Sequence, residues 1–239
     1  MATALLIRHG RSTANTAGTL AGHTPDVHLD EVGREQVAAL GARIASVPLT
    51  AVVTSPLDRC LETAEAVVGG RDVPLHHDLD VAEVRYGDWT GESLKILAKH
   101  PLWKVVQHHP SNATFPGDDA EGLAEMQARA VRAVRGWNAR LGDDAVYAVV
   151  SHGDVIKAIL ADALGLHLDL FQRIVVDPAS LSVVQYSDTR PFVERMNDTG
   201  GEVAGLRPRK RRRKGARSTS ADAAVGGGAG PEPSRKRRR

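Results

Sequence analysis

Apolar residues along the chain follow two periods. Ala4-Leu5-Leu6-Ile7, Ala51-Val52-Val53-Thr54 and residues 146–150 are short runs with almost no polar position inside them. Such runs predict strands buried on both faces. Between and after them, apolar positions recur at helical spacing. Val37, Leu40 and Ile44 follow Asp30; Leu123, Met126, Ala130, Val134, Trp137 and Leu141 form one stripe; residues 155–164 continue the pattern. Ser55-Pro56-Leu57-Asp58 predicts a helix start, with Ser55 as N-cap, Pro56 in the first turn and Asp58 completing a capping box. Residues 181–186 and 192–196 predict two late strands. Strand–helix alternation with unbroken apolar strands gives an α/β fold, a three-layer αβα sandwich around a mostly parallel sheet. Ligands of such sheets bind beyond the carboxyl ends of the strands.

At 239 residues and 42% hydrophobic, the chain is long enough for a sizeable core and is not disordered throughout. No run approaches the ~18 apolar residues of a transmembrane helix. No basic segment precedes an apolar run at the N-terminus, so a cytoplasmic location is expected. The single cysteine, Cys60, excludes an internal disulfide and a cysteine-rich zinc site.

Charge divides the chain. Residues 207–239 hold 13 Lys/Arg and 2 acids, a net of +11, whereas residues 1–206 hold 18 Lys/Arg and 27 acids, a net of −9. An acidic domain over 1–206 is therefore expected to carry a disordered basic tail over 207–239. Clustered cations without aromatics suit weak binding of nucleic acid or another polyanion through the phosphate backbone.

Three strand ends deliver polar groups to one edge: Arg8-His9-Gly10, Ser55 to Arg59, and His152-Gly153. Two arginines and two histidines gathered there repel one another unless an anion lies between them, and phosphate fits guanidinium geometry bidentately. Gly10 and Gly153 allow close backbone approach, and Ser12 and Asn15 offer further donors.

These segments resemble those of the histidine phosphatase superfamily, the phosphoglycerate-mutase-like proteins. The resemblance rests on residues 6–15 (Leu-Ile-Arg-His-Gly-Arg-Ser-Thr-Ala-Asn), on 54–64 around Arg59, on 83–89 (Glu-Val-Arg-Tyr-Gly-Asp-Trp) and on Val150-Ser151-His152-Gly153. It implies a phosphoglycerate-mutase-like fold and a metal-independent phosphomonoesterase of the histidine acid phosphatase type, acting on a small phosphorylated metabolite without a cofactor. His9 is then the nucleophile that becomes phosphohistidine, and Arg8, Arg59 and His152 hold the phosphoryl oxygens. Asn15 adds a donor, and Glu83 protonates the leaving oxygen and later deprotonates water.

Arg11 is expected either on a basic rim or in solvent, and Arg85 and Tyr86 either at the substrate or in surface and core. Trp89 is expected in the core or pocket wall, Cys60 packed, and His23 and His28 in a loop that overhangs the pocket or stands clear of it. Thr90 replaces an acid of many relatives. His76-His77 and His108-His109 lack carboxylates at ligand spacing. His152 follows Glu83 by only 69 positions, less than in mutases of this kind, which favours hydrolysis; phosphoglycerate-mutase-type transfer is the alternative.

Overall fold

The computed structural model describes residues 1–201 together with Val225, Gly226 and Gly228. The reading of 207–239 as a disordered tail therefore lies outside the described residues, apart from those three.

Six strands form one sheet: β1 (Ala2–Arg8), β2 (Ala51–Thr54), β3 (Leu75–His77), β4 (Val146–Ser151), β5 (Leu181–Tyr186) and β6 (Pro191–Asp198). Their order is β3-β2-β4-β1-β5-β6. The first four are parallel, and β5 and β6 add an antiparallel edge.

Period-two alternation splits each apolar strand between two cores. Ala4, Leu6, Val53 and Val149 face one cluster, where they meet Met126, Ala130 and Val134 of helix α6 (Leu123–Leu141) and Ile156 and Ile159 of α7 (Gly153–Ala163). Leu5, Ile7, Val52 and Val150 face the other, against Val37 and Leu40 of α2 (Glu31–Arg43) and Ala64 and Val67 of α3 (Asp58–Val68). This is the three-layer αβα sandwich, with the short helices α1 (Thr13–Ala17), α4 (Leu94–Leu97) and α5 (Pro101–His108) in the connections. Unbroken apolar runs are required because both faces of the central strands are covered. Among the described residues no helix is long and apolar enough to cross a membrane.

One strand lies outside the expected set, and one expected helix start needs correction. Strand β3 carries no apolar run, because as a three-residue edge it buries little. Helix α3 begins at Asp58 with Leu57 as N-cap and no side-chain capping bond. Ser55 therefore lies before the helix, at the tip of β2, and its hydroxyl serves the site instead.

Candidate active site

Sheet register assembles the site. Arg8 pairs with Ser151 and Thr54 with Val150, so the residues just past β1, β2 and β4 stand abreast at the carboxyl edge. The His9 and Ser55 amides continue the ladder, donating to the Ser151 and Val150 carbonyls at 3.0 Å each. His9 and His152 thus become neighbours, with ring centroids 5.3 Å apart.

Hydrogen bonding fixes both imidazoles. Nδ1 of His9 lies 2.7 Å from the Gly10 carbonyl oxygen. A carbonyl only accepts, so Nδ1 carries the proton and the neutral ring holds its lone pair on Nε2. Arg59 Nη2 donates to Nδ1 of His152 at 3.3 Å, which leaves the Nε2 proton of His152 for Ser55 Oγ at 2.8 Å. Burial, and then the Arg59 cation, hold both histidines well below the ordinary imidazole value. Each is neutral near pH 7.

His9, Ser12, Asn15, Arg59 and Glu83 line a cavity of about 70 Å³. Arg8 and His152 are not among the residues that line it and are 1% and 0% exposed. Arg8 Nη1 donates to the Val176 carbonyl at 2.8 Å, and Arg59 Nη2 to the Gly22 carbonyl at 2.8 Å. Gly22 has φ +50°, and a Cβ there would stand 2.8 Å from Thr90 Oγ1, so only glycine offers that carbonyl. Arg8 Nε and Arg59 Nη1 are buried and meet no acceptor among the described residues. Buried donors left unpaired are costly, and acceptor oxygens of an anion are the chemical class that would satisfy them.

Ser12 caps the short helix α1 (Thr13–Ala17): its hydroxyl donates to Asn15 Oδ1 at 3.0 Å and accepts from the Asn15 amide. With Oδ1 engaged by Ser12, Nδ2 is the Asn15 atom free in chemistry to donate to an anion. Gly153 opens α7 behind His152. Gly10 serves packing rather than close approach of a ligand, since a Cβ there would stand 2.7 Å from the Gly33 carbonyl oxygen and from Val37 Cγ1 of α2.

Glu83 is 3% exposed, and its carboxyl is pushed up to about 7, by burial first and the Asp154 carboxylate second. Oε2 lies 3.7 Å from Nδ1 of His152. Its backbone is clamped: the Glu83 carbonyl accepts from Arg129 Nη2 at 2.9 Å and from His23 Nε2 at 2.7 Å. Arg129 also holds the Asp80 and Ala82 carbonyls and pairs with buried Glu121 through two bonds of 2.6 and 2.9 Å.

Residues 4–199 match the family model described as the histidine phosphatase superfamily, branch 1. The chain belongs to this superfamily. An adenosylcobalamin/alpha-ribazole phosphatase of Salmonella typhimurium is 30% identical over 159 residues, covering 66% of this chain and 78% of that protein. Phosphoserine phosphatase 1 of Hydrogenobacter thermophilus is 26% identical over 197 residues, 82% of this chain and 92% of the relative. The solved structure of Bacillus stearothermophilus YhfR superposes with a TM-score of 0.77 at 27% identity, covering 83% of this chain and 98% of YhfR.

Within this superfamily member the uncertain neighbours of the motifs take definite places. Arg11 Nε pairs with Asp30 at the start of α2, 2.6 Å, so it belongs to packing rather than to a basic rim. Trp89 is in the core against Phe115 and Trp103. Tyr86 is fully buried and donates its hydroxyl to Asp154 Oδ2 at 3.1 Å. Arg85 is half-exposed beside Glu121. His23 reaches the site and His28 turns to Glu62 at the surface. Burial pushes the Cys60 thiol up to about 12, which makes it a packed group and not a nucleophile. His76 lies against Trp137, and His109 near Asp169.

Several contributors carry no motif-level signal. Glu121, Arg129 and Asp154 reach the site from three different elements or loops. Ala179 has φ +54° and shares its N–H between the Arg8 and His9 carbonyls at 3.1 Å each, a left-handed alanine held beside His9. Val225, Gly226 and Gly228 also line the cavity.

Proposed function

We propose that this protein hydrolyses a small phosphomonoester through a phosphohistidine at His9. The observation that carries the reading is the His9 tautomer, with Nδ1–H held by the Gly10 carbonyl and the Nε2 lone pair left for attack beside a buried Glu83. Arg8, Arg59 and His152 surround the phosphoryl oxygens, with Ser12, Asn15 and the Gly153 turn around them. This reading gives the buried Arg8 Nε and Arg59 Nη1, which meet no acceptor among the described residues, a partner in the phosphoryl group.

In the first step the Nε2 lone pair forms the N–P bond while the P–O bond to the leaving group breaks, and the Glu83 carboxyl gives its proton to that oxygen. In the second, the Glu83 carboxylate takes a proton from water, the water oxygen bonds to phosphorus, and the N–P bond breaks to release orthophosphate. A carboxyl near neutrality suits both halves of this exchange. Nucleophile, charge stabilisation and proton transfer are all supplied by side chains, so metal-independent turnover is expected. The names of the relatives, an alpha-ribazole, a glucosyl-3-phosphoglycerate and a phosphoserine phosphatase, support hydrolysis over mutase-type transfer and span dissimilar organic groups.

Phosphate release from a panel of monoesters, in chelator, tests the reading. Wild type should release phosphate, and His9→Ala should lose activity by at least about 10⁴-fold, as removal of a nucleophile does. Phosphoglycerate isomerisation without net phosphate release would transfer the protein to the mutase alternative.

A further inference from the structure

Val225, Gly226 and Gly228 come from the sequence interval between two Arg/Lys clusters, at 207–214 and 235–239. Yet they line the phosphate cavity next to His9, Arg59 and Glu83. Three kinds of contact hold them. Val225 is 1% exposed and shares an apolar cluster with Leu20 and Tyr86. Gly226 donates its N–H to Asp154 Oδ2 at 2.8 Å. That carboxylate is fully buried and also accepts from Lys157 Nζ at 3.3 Å and Tyr86 Oη at 3.1 Å. The Gly226 carbonyl oxygen lies 3.5 Å from Arg8 Nη2, a long contact that presents an oxygen to a guanidinium of the phosphate site. Gly226 has φ +75°, and a Cβ there would stand 2.8 Å from Leu20 Cδ1, so the seat is shaped for glycine.

Size decides what this docking does. The cavity left beside the segment is about 70 Å³. That is room for about two waters at ~30 Å³ each, whereas pockets for whole small-molecule ligands run to ~300–1,000 Å³. A phosphoryl group is of the first scale; the organic part of a metabolite ester is not.

We propose that the Val225–Gly226 dipeptide is an intramolecular plug of the phosphate site, which an ester must displace before it reaches His9. Docked, the plug lays a peptide carbonyl against Arg8 and closes the route past Leu20. Released, it opens the cavity to the organic half of the substrate. The kinetic consequence rests on the phosphatase reading; the docking itself does not.

Two full-length variants test the plug. Val225→Asp puts a carboxylate into the apolar cluster one residue from the Asp154 contact, and Gly226→Leu sets a side chain against Leu20 at a positive φ. In both, the Kd of phenylphosphonate, which binds without turnover, should fall by about tenfold if the open form is ~10% populated in wild type. KM for a metabolite-sized ester should fall in parallel, with kcat unchanged or raised. An unchanged or weaker phenylphosphonate affinity in both variants overturns the plug, since the segment is then a wall of the substrate site or a bystander. Amide hydrogen exchange gives a third readout: Gly226 should be protected in wild type and lose protection in Val225→Asp. Exchange of the wild-type amide at the unstructured rate also overturns it. Tighter phenylphosphonate binding with no ester hydrolysed by any variant would leave the plug standing and remove the phosphatase reading.

Discussion

Glu83 is where stability and chemistry pull in opposite directions. Its carboxyl ionises near 7 in the folded protein against an ordinary value of 4.5, because burial and then Asp154 disfavour the charge. Between those two values the folded protein holds a proton that the unfolded chain has lost. Stability therefore falls as pH rises through that window, by on the order of 3 kcal/mol once both states are ionised. Glu83→Gln removes the penalty and keeps an acceptor for the Val84 amide, which now donates to Oε1 at 3.0 Å. Thermal denaturation should show the variant more stable than wild type at pH 8 and equal to it near pH 4.5. Its kcat should drop by about 10²–10⁴-fold for want of a proton donor. In wild type, kcat/KM should decline above pH 7 as Glu83 loses the proton that the leaving oxygen needs. The neutral His9 and His152 act on the other side. Their folded values lie below the unfolded one, so stability is lost as pH falls below about 6.5.

At the scale of elements, the acid-bearing segment depends on α6. Arg129 projects from that helix to hold the Asp80, Ala82 and Glu83 carbonyls, and its partner Glu121 is 1% exposed. Arg129→Met leaves the buried Glu121 carboxylate only the half-exposed Arg85 as a cationic partner and should cost about 3–5 kcal/mol, whereas Arg129→Met with Glu121→Gln should recover much of it. Both variants free the Glu83 backbone, so kcat should stay depressed in the double variant after stability returns, a split that urea titration and steady-state kinetics would separate. The apolar runs of β1, β2 and β4 are legible in the sequence because each strand is covered on both faces. The short edge strand β3 is not, since it has almost nothing to bury. The Ser55-Pro56-Leu57-Asp58 pattern misplaces the start of α3 for a related reason. A serine that satisfies local capping statistics is drawn instead to His152, a partner 97 positions away.

For the molecule as a whole, β1 is both the middle of the sheet and the stem that carries Arg8 and His9. Leu6 is fully buried between β4 and β5. Leu6→Ala should lower unfolding free energy by about 2–5 kcal/mol, measured by denaturant titration, because the sheet cannot collapse around the cavity without moving Arg8 and His9. The sequence alone determined the αβα class, the strand ends and the residue types gathered at them: local apolar period sets burial, and cations at several strand ends demand an anion. It also supplied the family through four ordered motifs. Only the tertiary structure decided the His9 tautomer, the ionisation of Glu83, the Arg129 clamp and the docking of Val225 and Gly226. Each of these depends on partners far apart in the chain and on burial, which lowers the dielectric around a charge. No local pattern of residues encodes either.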